Sequence, residues 1–314
     1  MSRPKKNAVD AHRPYGFFVE DEPAAPGVPA PVATIFLTNK ECAHRCTMCD
    51  LWKNTLDAPT PPGAIPEQIR WALERLPAAR RVKLYNAGSF FDRAAIPAED
   101  HAAIADLVRG FERVVVECHP SLVGDNVLRF RDLLGGPELE VALGLETANE
   151  QALEKLNKGM TVDDFETCTR RLVSHGIPVR SFVLLGIPFL GKEEWGAATR
   201  ASIDASFAAG AEIVSLIPTR MGNGTLEELQ REGHFEPPGL CDLERAMGDF
   251  LEGEEGKGRA PGARGMVLAD LWNADALPAP ACCAPARVER LRTMNIIQRN
   301  LPLLPSCPSC PPCS

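Results

Sequence analysis

Three closely spaced cysteines are the strongest chemical signal in the sequence. Cys42, Cys46 and Cys49 lie in the run CAHRCTMC, so that three and then two residues separate the thiols. Thiolates at this spacing can hold one face of a cubane iron–sulfur cluster and leave one iron without a protein ligand. The alternatives are a zinc site that lacks its fourth ligand and a chance grouping of cysteines. Because an open iron can bind a substrate, we favour a catalytic cluster.

A second group of cysteines lies near the end of the sequence. Cys307, Cys310 and Cys313 occupy a proline-rich tail, and Cys282 and Cys283 precede the helix-compatible run that leads to it. One of the adjacent pair and the three tail cysteines would make a four-cysteine site, which suits an auxiliary [4Fe-4S] cluster or tetrahedral zinc. We favour iron–sulfur because of the first cluster; a tail without metal is the alternative.

The cysteines must be positioned by the elements around them, and these alternate regularly. Short β-branched runs predict strands at Ala33–Leu37, Arg81–Tyr85, Arg113–Glu117, Glu140–Leu145, Val179–Leu185 and Glu212–Ile217. Amphipathic runs predict helices at Pro66–Leu76, Glu99–Phe111, Asp125–Leu134, Val162–His175 and Glu193–Ala209. This order predicts an α/β fold with parallel strands, either a βα barrel or a doubly wound sheet. The first cysteines would then follow the first strand, at the end where barrel enzymes carry their chemistry.

The domain organisation follows from where this alternation begins and ends. Residues 1–30 are rich in proline and charge and predict an irregular arm, and residues 31–220 form the barrel core. Residues 221–314 form a C-terminal extension that contains a helix-compatible run, Ala286–Asn300. The segment Gly253–Gly265 is rich in glycine and charge, as in a linker between core and extension.

The C-x3-C-x2-C pattern after the first strand resembles the radical S-adenosylmethionine (SAM) superfamily, over about Pro31 to Arg220. The runs ALGLET and NKGM are similar in style to the group that contains the Elongator catalytic subunit, the methylthiotransferases and the radical SAM subunit of archaeosine synthase. The resemblance implies a partial (β/α)6 TIM-like barrel, a [4Fe-4S] cluster and SAM as cofactors. The open iron would bind the amino and carboxylate groups of SAM.

The same resemblance implies a set of SAM contacts, while no catalytic side chain is assigned. Met48 and Ile187 would contact adenine, the segment Ala87, Gly88 and Ser89 would bind the amino group, and Lys158 would reach the carboxylate or the substrate. Glu117 and Glu146 would face the ribose and the amino group, and Arg220 could approach from the barrel mouth. The alternatives are ordinary structural roles: a core isoleucine, a strand-to-loop turn, helix caps or ion pairs, and a solvated lysine or arginine.

The implied reaction is reductive cleavage of SAM to a 5′-deoxyadenosyl radical, followed by hydrogen abstraction from a substrate. It requires a low-potential electron donor such as flavodoxin or ferredoxin. With an auxiliary cluster, the outcome could be sulfur insertion, oxidation or rearrangement of a small molecule or peptide. A tRNA-modifying enzyme of the same superfamily, or a non-catalytic iron–sulfur or zinc protein for electron transfer or scaffolding, are the alternatives.

Composition limits the partners and the location. The 314 residues carry a formal net charge of -8, which argues against a general nucleic-acid binder, although Arg287, Arg290, Arg292 and Arg299 could form one basic helix face. No apolar run is long enough to span a membrane. The first residues do not have the pattern of a secretory signal, so we expect a cytoplasmic protein without membrane contact.

Overall fold

One curled sheet organises the protein. The structure is a computed structural model that describes residues 4–255, 265–280, 282–302 and 304. Within these residues, eight strands form a single sheet in chain order: β1 Gly16–Ala25, β2 Val28–Leu37, β3 Arg81–Asn86, β4 Arg113–Cys118, β5 Glu138–Glu146, β6 Val179–Leu185, β7 Ile213–Pro218 and β8 Met266–Ala269. The β1–β2 pair is antiparallel and the remaining pairs are parallel. The predicted α/β barrel-type fold is confirmed.

Helices connect the parallel strands and cover the outer face of the sheet. Those in the described residues are α1 Ala64–Leu73, α2 His101–Val108, α3 Asp125–Leu134, α4 Glu150–Lys155, α5 Val162–Ser174, α6 Trp195–Ala209, α7 Thr225–Arg231, α8 Leu240–Glu255 and α9 Ala284–Ile297. Alternate strand residues such as Ile35, Leu84 and Val116 are fully buried beneath these helices. Gly176 and Gly210 have φ of 69° and 104°, as expected of residues that end α5 and α6.

The concave face of the sheet encloses a lumen, as contacts between non-adjacent strands show. The rings of Tyr85 on β3 and Phe182 on β6 have centroids 5.8 Å apart. Arg180 Nη2 on β6 lies 2.8 Å from Glu22 Oε2 on β1. These side chains can meet only if the sheet curls into a partial barrel, so they define its interior.

The N-terminal arm differs from the prediction. Residues 16–25, within the segment expected to be irregular, form the ten-residue strand β1. Phe17 packs against the outer core, while Glu20 and Glu22 bond to Lys83 in the lumen, which is the alternation of a strand. Pro23 suggested a loop, but proline is tolerated on an edge strand, and β1 is the edge of this sheet.

The C-terminal region also extends the barrel rather than ending it at Arg220. Strand β8 pairs with β7, and α8 and α9 pack on the outer face in a second apolar cluster that includes Leu243 and Leu291. Most of the predicted linker Gly253–Gly265 lies outside the described residues. No helix in the described ranges is long and apolar enough to cross a bilayer.

The basic helix face expected on α9 is not formed as predicted. Arg287 and Arg290 are buried, and both bond to the Glu244 carboxylate on α8. Arg292 is paired with Glu289 on the same helix. Two of the four arginines therefore hold α9 to α8, because a buried guanidinium needs a carboxylate partner.

Candidate functional site

The cysteine loop follows β2 at the C-terminal end of the parallel strands. Asn39, at its start, donates from Nδ2 to the carbonyl of Ala87 at 3.0 Å and accepts from the Ala87 N–H at 3.1 Å. In the loop, Thr47 donates its N–H to the carbonyl of Leu156 and accepts at its own carbonyl from Asn223 Nδ2, at 2.9 and 2.8 Å. The loop is thus fixed to the ends of β3, α4 and β7.

The three thiols in this loop are partly buried. The N–H of Cys49 donates to the carbonyl of Cys46 at 3.1 Å, and Trp52 Nε1 donates to the carbonyl of Cys49. Burial raises the pKa of all three thiols, that of Cys49 to about 12, while Lys158 opposes the rise at Cys42 and Cys46. Cationic iron would supply the compensation that these thiolates need.

The donor set therefore fits an iron–sulfur cluster in its chemistry. Within the described residues, no three Cys, His, Asp or Glu side chains already have the geometry of a metal site. Thr219 Oγ1, just after β7, is buried without a hydrogen-bond partner in the described part of the chain, so an unused hydroxyl lies at the same end of the sheet.

Gly88 contacts the cysteine loop most closely among the residues predicted to bind the SAM amino group. Its φ is +105°, and a Cβ there would lie 2.9 Å from Cys42 Cβ and 3.0 Å from Cys42 Sγ. Both backbone groups of Ala87 bond to Asn39. The Ser89 hydroxyl is buried, lies 3.0 Å from Cys118 Sγ and accepts from the Phe91 N–H at 3.3 Å. These contacts favour the predicted role for Gly88 only.

Glu146 and Lys158 form an ion pair beside the loop. Lys158 Nζ lies 2.5 Å from Glu146 Oε1, and both side chains are largely buried. Glu146 has φ of +65°, where the pairing of β5 with β6 shifts register between Gly144 and Glu146. A Cβ on Gly144 would overlap both charged groups. The bulge and the glycine together make room for the ion pair at the end of β5.

Glu117, at the end of β4, lies in the field of this pair. Burial raises the pKa of Glu117 to about 8, and the Glu146 carboxylate adds to the rise. Lys158 and the backbone N–H of Asn86 act in the opposite direction. The structure therefore brings together the predicted Glu117, Glu146 and Lys158 as a group with a carboxyl that titrates near neutral pH.

The two predicted adenine contacts share one apolar cluster. Ile187 is fully buried with Ala152, Leu156 and Leu184, and Met48 of the cysteine loop packs against the same cluster. Their adjacency agrees with a common adenine contact, although burial of Ile187 also suits a core residue. Sequence alone could not show this adjacency, because 138 positions separate the two residues.

Arg220, which could approach SAM or substrate or be a surface arginine, is engaged by the loop after β8. Its Nη1 lies 2.9 Å from Asp270 Oδ2, and its Nη2 donates to the carbonyl of Trp272 at 2.5 Å. The Trp272 N–H in turn donates to Asp270 Oδ1 at 3.0 Å. Arg220 therefore positions the loop after β8, a role that depends on a strand the sequence did not predict.

Only two cysteines of the second group, Cys282 and Cys283, are among the described residues. Cys282 is exposed and Cys283 is half-buried at the start of α9, where Arg287 Nε donates to Cys283 Sγ at 3.4 Å. Cys241, treated as isolated in the sequence, begins α8, and the neighbouring Leu240 N–H bonds to the Pro278 carbonyl ahead of α9. Cys307, Cys310 and Cys313 lie outside the described residues.

Tyr15 is a candidate site residue that the sequence did not predict. It lies directly before β1, and its ring stacks on Phe36 with centroids 5.5 Å apart. Burial raises its pKa, and the charges of Glu117, Asp50 and Cys49 add to the rise. Its backbone N–H donates to the carbonyl of Phe36 at 3.0 Å, on the strand that leads into the cysteine loop. It was missed because the N-terminal segment was expected to lie outside the barrel.

Comparison with known proteins is consistent with this geometry. The family model for the radical SAM superfamily matches residues 37–201, which is more than half of the chain. Archaeosine synthase subunit beta of Methanosarcina acetivorans is 28% identical over 230 residues, covering 69% of this chain and 66% of that protein. The Thermococcus kodakarensis protein of the same name is 27% identical over 186 residues, which cover 56% of this chain and 57% of that protein. The chain thus matches two thirds or less of these relatives.

Solved structures show the same fold. Methylornithine synthase has a TM-score of 0.55 and 18% identity over 83% of this chain and 68% of its own. Streptococcus suis SuiB bound to S-adenosylmethionine has a TM-score of 0.53 and 13% identity, covering 74% and 48%. An N-terminally deleted Elp3 of Methanocaldococcus infernus has a TM-score of 0.51 and 14% identity. The match covers 73% of this chain and 59% of that protein.

The family fixes the class of chemistry. Its enzymes carry a [4Fe-4S] cluster and cleave SAM, and the group resemblance seen in the sequence agrees with the archaeosine synthase relatives. The match over residues 37–201 shows that this chain is an enzyme of that class and belongs to the radical SAM superfamily.

Proposed function

We propose that Cys42, Cys46 and Cys49 hold the [4Fe-4S] cluster and that SAM binds between this loop and the ends of the parallel strands. The observation that carries the proposal is one loop with three thiols, fixed at this end of the sheet beside Glu117, Glu146 and Lys158. When bound, the cluster supplies the electron that cleaves SAM to methionine and a 5′-deoxyadenosyl radical, and hydrogen abstraction from a substrate follows.

The protein side chains then have separate tasks. Gly88 lets the end of β3 approach Cys42, which leaves its backbone available to the SAM amino group. Lys158, held by Glu146, provides a buried positive charge for the SAM carboxylate, and Glu117 is placed to accept a hydroxyl. Met48 and Ile187 provide an apolar surface for adenine. Arg220 acts through Trp272, and Ser89 has no part in this proposal.

The substrate is proposed to be a small molecule or a peptide. The acidic net charge of -8 and the burial of Arg287 and Arg290 leave little basic surface on α9 for a phosphate backbone. The relatives named archaeosine synthase subunit beta keep tRNA modification as the second candidate. A low-potential donor such as flavodoxin or ferredoxin supplies the electron in either case, and we expect the enzyme to work in the cytoplasm.

An auxiliary cluster is proposed for the C-terminal extension. Its support is the position of Cys282 and Cys283 at the start of α9, with a guanidinium that donates to the Cys283 sulfur, as suits a thiolate. Cys307, Cys310 and Cys313 would supply the remaining ligands. Such a cluster would serve sulfur insertion, oxidation of the substrate radical or a rearrangement, and zinc is the alternative metal.

SAM cleavage tests the main proposal. The anaerobically reconstituted protein, given dithionite and SAM, should form 5′-deoxyadenosine, and the triple Cys42, Cys46 and Cys49→Ala variant should form none. Cys168→Ala is the matched control, because Cys168 lies on α5 and packs in the outer core, away from the cysteine loop. Iron-loaded wild type that forms no 5′-deoxyadenosine would overturn the proposal.

Metal content tests the auxiliary site separately. In the same triple variant, iron and sulfide should remain at the level of one cluster and should be lost when Cys307, Cys310 and Cys313 are also replaced by alanine. Zinc in place of iron, or no metal at all in the triple variant, would show that the second cluster does not exist.

A further inference from the structure

The lumen contains a group of aromatic side chains on the side of the barrel where β1 and β2 face the loop after β8. We name this group the lumen ring cluster; it comprises Tyr15, Phe18, Phe36, Tyr85, Phe182 and Trp272. Phe18 and Trp272 are stacked with centroids 4.9 Å apart, and Phe36 lies 5.0 Å from Trp272 and 5.5 Å from Tyr15. Tyr85 joins Phe36 to Phe182 across the lumen, at 6.2 and 5.8 Å.

These rings are not packed as a closed core. The outward-facing residues of the same strands, such as Ile35 and Leu84, are fully buried, whereas the five Tyr and Phe rings are half-buried and Trp272 is 41% exposed. Tyr15 and Phe36 are stacked on each other, as are Phe18 and Trp272, but every ring of the group remains partly exposed, so part of its surface is available to a ligand.

The floor beneath the rings consists of ion pairs. Lys83 Nζ lies 2.6 Å from Glu20 and 2.8 Å from Glu22, while Arg180 pairs with Glu22 at 2.8 Å and Glu140 at 2.7 Å. The cations and carboxylates are thus matched with one another across β1, β3, β5 and β6. Within the described residues, the floor therefore offers no spare carboxylate for a cationic ligand, whereas Arg81 on the same face of β3 has no carboxylate partner and its Nε is buried without a hydrogen bond.

The lumen ring cluster reaches the cysteine loop. The backbone N–H of Tyr15 donates to the carbonyl of Phe36 at 3.0 Å, on the strand β2 that leads into the cysteine loop, so this ring connects the cluster to the candidate active site. On the other side, Arg220 and Asp270 fix the backbone of Trp272. A group held among these rings would therefore lie beneath the proposed position of SAM.

We infer that the lumen ring cluster binds a planar aromatic or heteroaromatic group of the substrate by stacking. The inference rests on the proposed function and narrows its substrate class. Stacking suits any planar ring, since aromatic side chains offer π-faces without selecting a charge. A floor without a spare carboxylate separates this site from an aromatic cage for a quaternary ammonium group, which needs unpaired negative charge or a ring enclosure without competing cations.

Binding of small probes tests the inference. Hypoxanthine is the planar probe, cyclohexanecarboxamide is the saturated control of similar size, and tetramethylammonium represents the cationic alternative. Each is titrated into the cluster-loaded full-length protein with saturating SAM, by ligand-observed NMR under anaerobic conditions. We expect hypoxanthine to bind at least tenfold more tightly than either of the other two. Equal binding of all three, or preference for tetramethylammonium or the saturated ring, would overturn the inference.

Two tryptophan variants make the test specific. Trp272→Leu should weaken hypoxanthine binding about tenfold. Trp71→Leu is the matched control, because the Trp71 ring meets Phe17 edge-to-face and lies under the Arg75 guanidinium on the outer side of the sheet, and it should leave the affinity unchanged. Phe36→Leu provides a second lumen variant if Trp272→Leu does not fold, as judged by thermal unfolding. Unchanged affinity in the folded lumen variants would overturn the inference.

The two proposals fail in different ways. If iron-loaded wild type does not cleave SAM, the proposed function is wrong whatever the probes do. If it cleaves SAM and hypoxanthine does not bind, the function stands and only the aromatic substrate class is wrong.

Discussion

At the scale of single residues, Gly88 links the sheet to the cysteine loop. It combines a left-handed backbone with a position where a Cβ would contact Cys42 at 2.9 Å. Gly88→Ala should therefore lose stability by about 1–3 kcal/mol beyond the backbone strain itself, because the neighbour that must move is Cys42 of the loop. Thermal unfolding measures the loss of stability, and iron content after reconstitution measures the disturbance of the cysteine loop. The unfolding temperature and the iron content should both fall.

Gly233→Ala separates strain from contact. Gly233 also has positive φ, +77°, but a Cβ there would meet nothing within 4 Å. The Gly233→Ala variant should lose only the stability that backbone strain costs, about 1 kcal/mol, and should keep its iron. If both variants retained iron equally, the close approach of Gly88 to Cys42 would not matter for the loop.

Glu117 predicts a pH dependence of stability. Burial raises its pKa from 4.5 to about 8, so the folded protein keeps this proton to higher pH than the unfolded chain does. The stabilisation that this pKa shift contributes to the free energy of unfolding is therefore complete below pH 4.5 and is lost as pH rises through 8. Between pH 5 and pH 8.5, the free energy of unfolding measured in urea should fall by about 1–3 kcal/mol more for wild type than for Glu117→Gln.

The comparison for Glu117 is an exposed glutamate. Glu154→Gln, on the outer surface of α4, should follow wild type across the same pH range. Parallel pH curves for wild type and Glu117→Gln would mean that the carboxyl of Glu117 is not held in a buried environment.

At the scale of elements, the sequence predicted best where one residue pattern determines one element. The six predicted strands all occur, and α3 has the predicted bounds, because apolar periodicity and glycine ends are local. Strand β1 was missed because its proline, Pro23, suggested a loop and because two of its inward residues, Glu20 and Glu22, are charged and have partners, Lys83 and Arg180, that lie far along the chain. Strand β8 was missed for a related reason, since its four residues carry little periodicity.

Strand β8 also shows how tertiary contacts complete an element. It is the other edge of the sheet, and its open backbone groups are satisfied by side chains of α9 and the residue that caps it. Asn295 bonds to both backbone groups of Ala269, and Gln298 bonds to both of Val267, at 2.8–3.1 Å. No local pattern announces such edge protection, because it depends on two segments that meet only in the fold.

The β1 strand should contribute to stability mainly through Glu22. Glu22→Gln leaves Arg180 and Lys83 without full compensation inside the barrel, so we expect a loss of about 3–5 kcal/mol in urea unfolding. These cations lower the pKa of Glu22, so its contribution is present above its unfolded pKa and is lost as pH falls well below it.

Glu20→Gln is the matched change on the same strand. Glu20 contacts Lys83 as well, but its side chain is 38% exposed, so its removal should cost about 1 kcal/mol or less. Equal losses in the two variants would show that the barrel floor is not protected from water.

At the scale of the whole molecule, the candidate site could be predicted because its strongest signal is contiguous. The three cysteines of the loop and the strand before it lie within eighteen residues of sequence, from Ala33 to Asp50. The contacts of Ser89 and Arg220 could not be predicted, since each depends on a distant partner, Cys118 and the β8 loop. The extent of the barrel was underestimated for the same reason.

The C-terminal extension should accordingly fold with the barrel and not beside it. Leu243, Met247 and Leu291 of α8 and α9 are buried with Val214 and Leu216 of β7, so a chain that ends at Arg220 exposes this apolar cluster and the edge of β7. We expect that truncated chain to aggregate or to unfold without a cooperative transition, whereas a chain that ends at Leu304 keeps β8 and α9 and unfolds cooperatively. Size-exclusion chromatography and urea unfolding compare the two. A cooperative, monomeric chain of 220 residues would show that the core ends where the sequence analysis placed it and that β8, α8 and α9 form a separate unit.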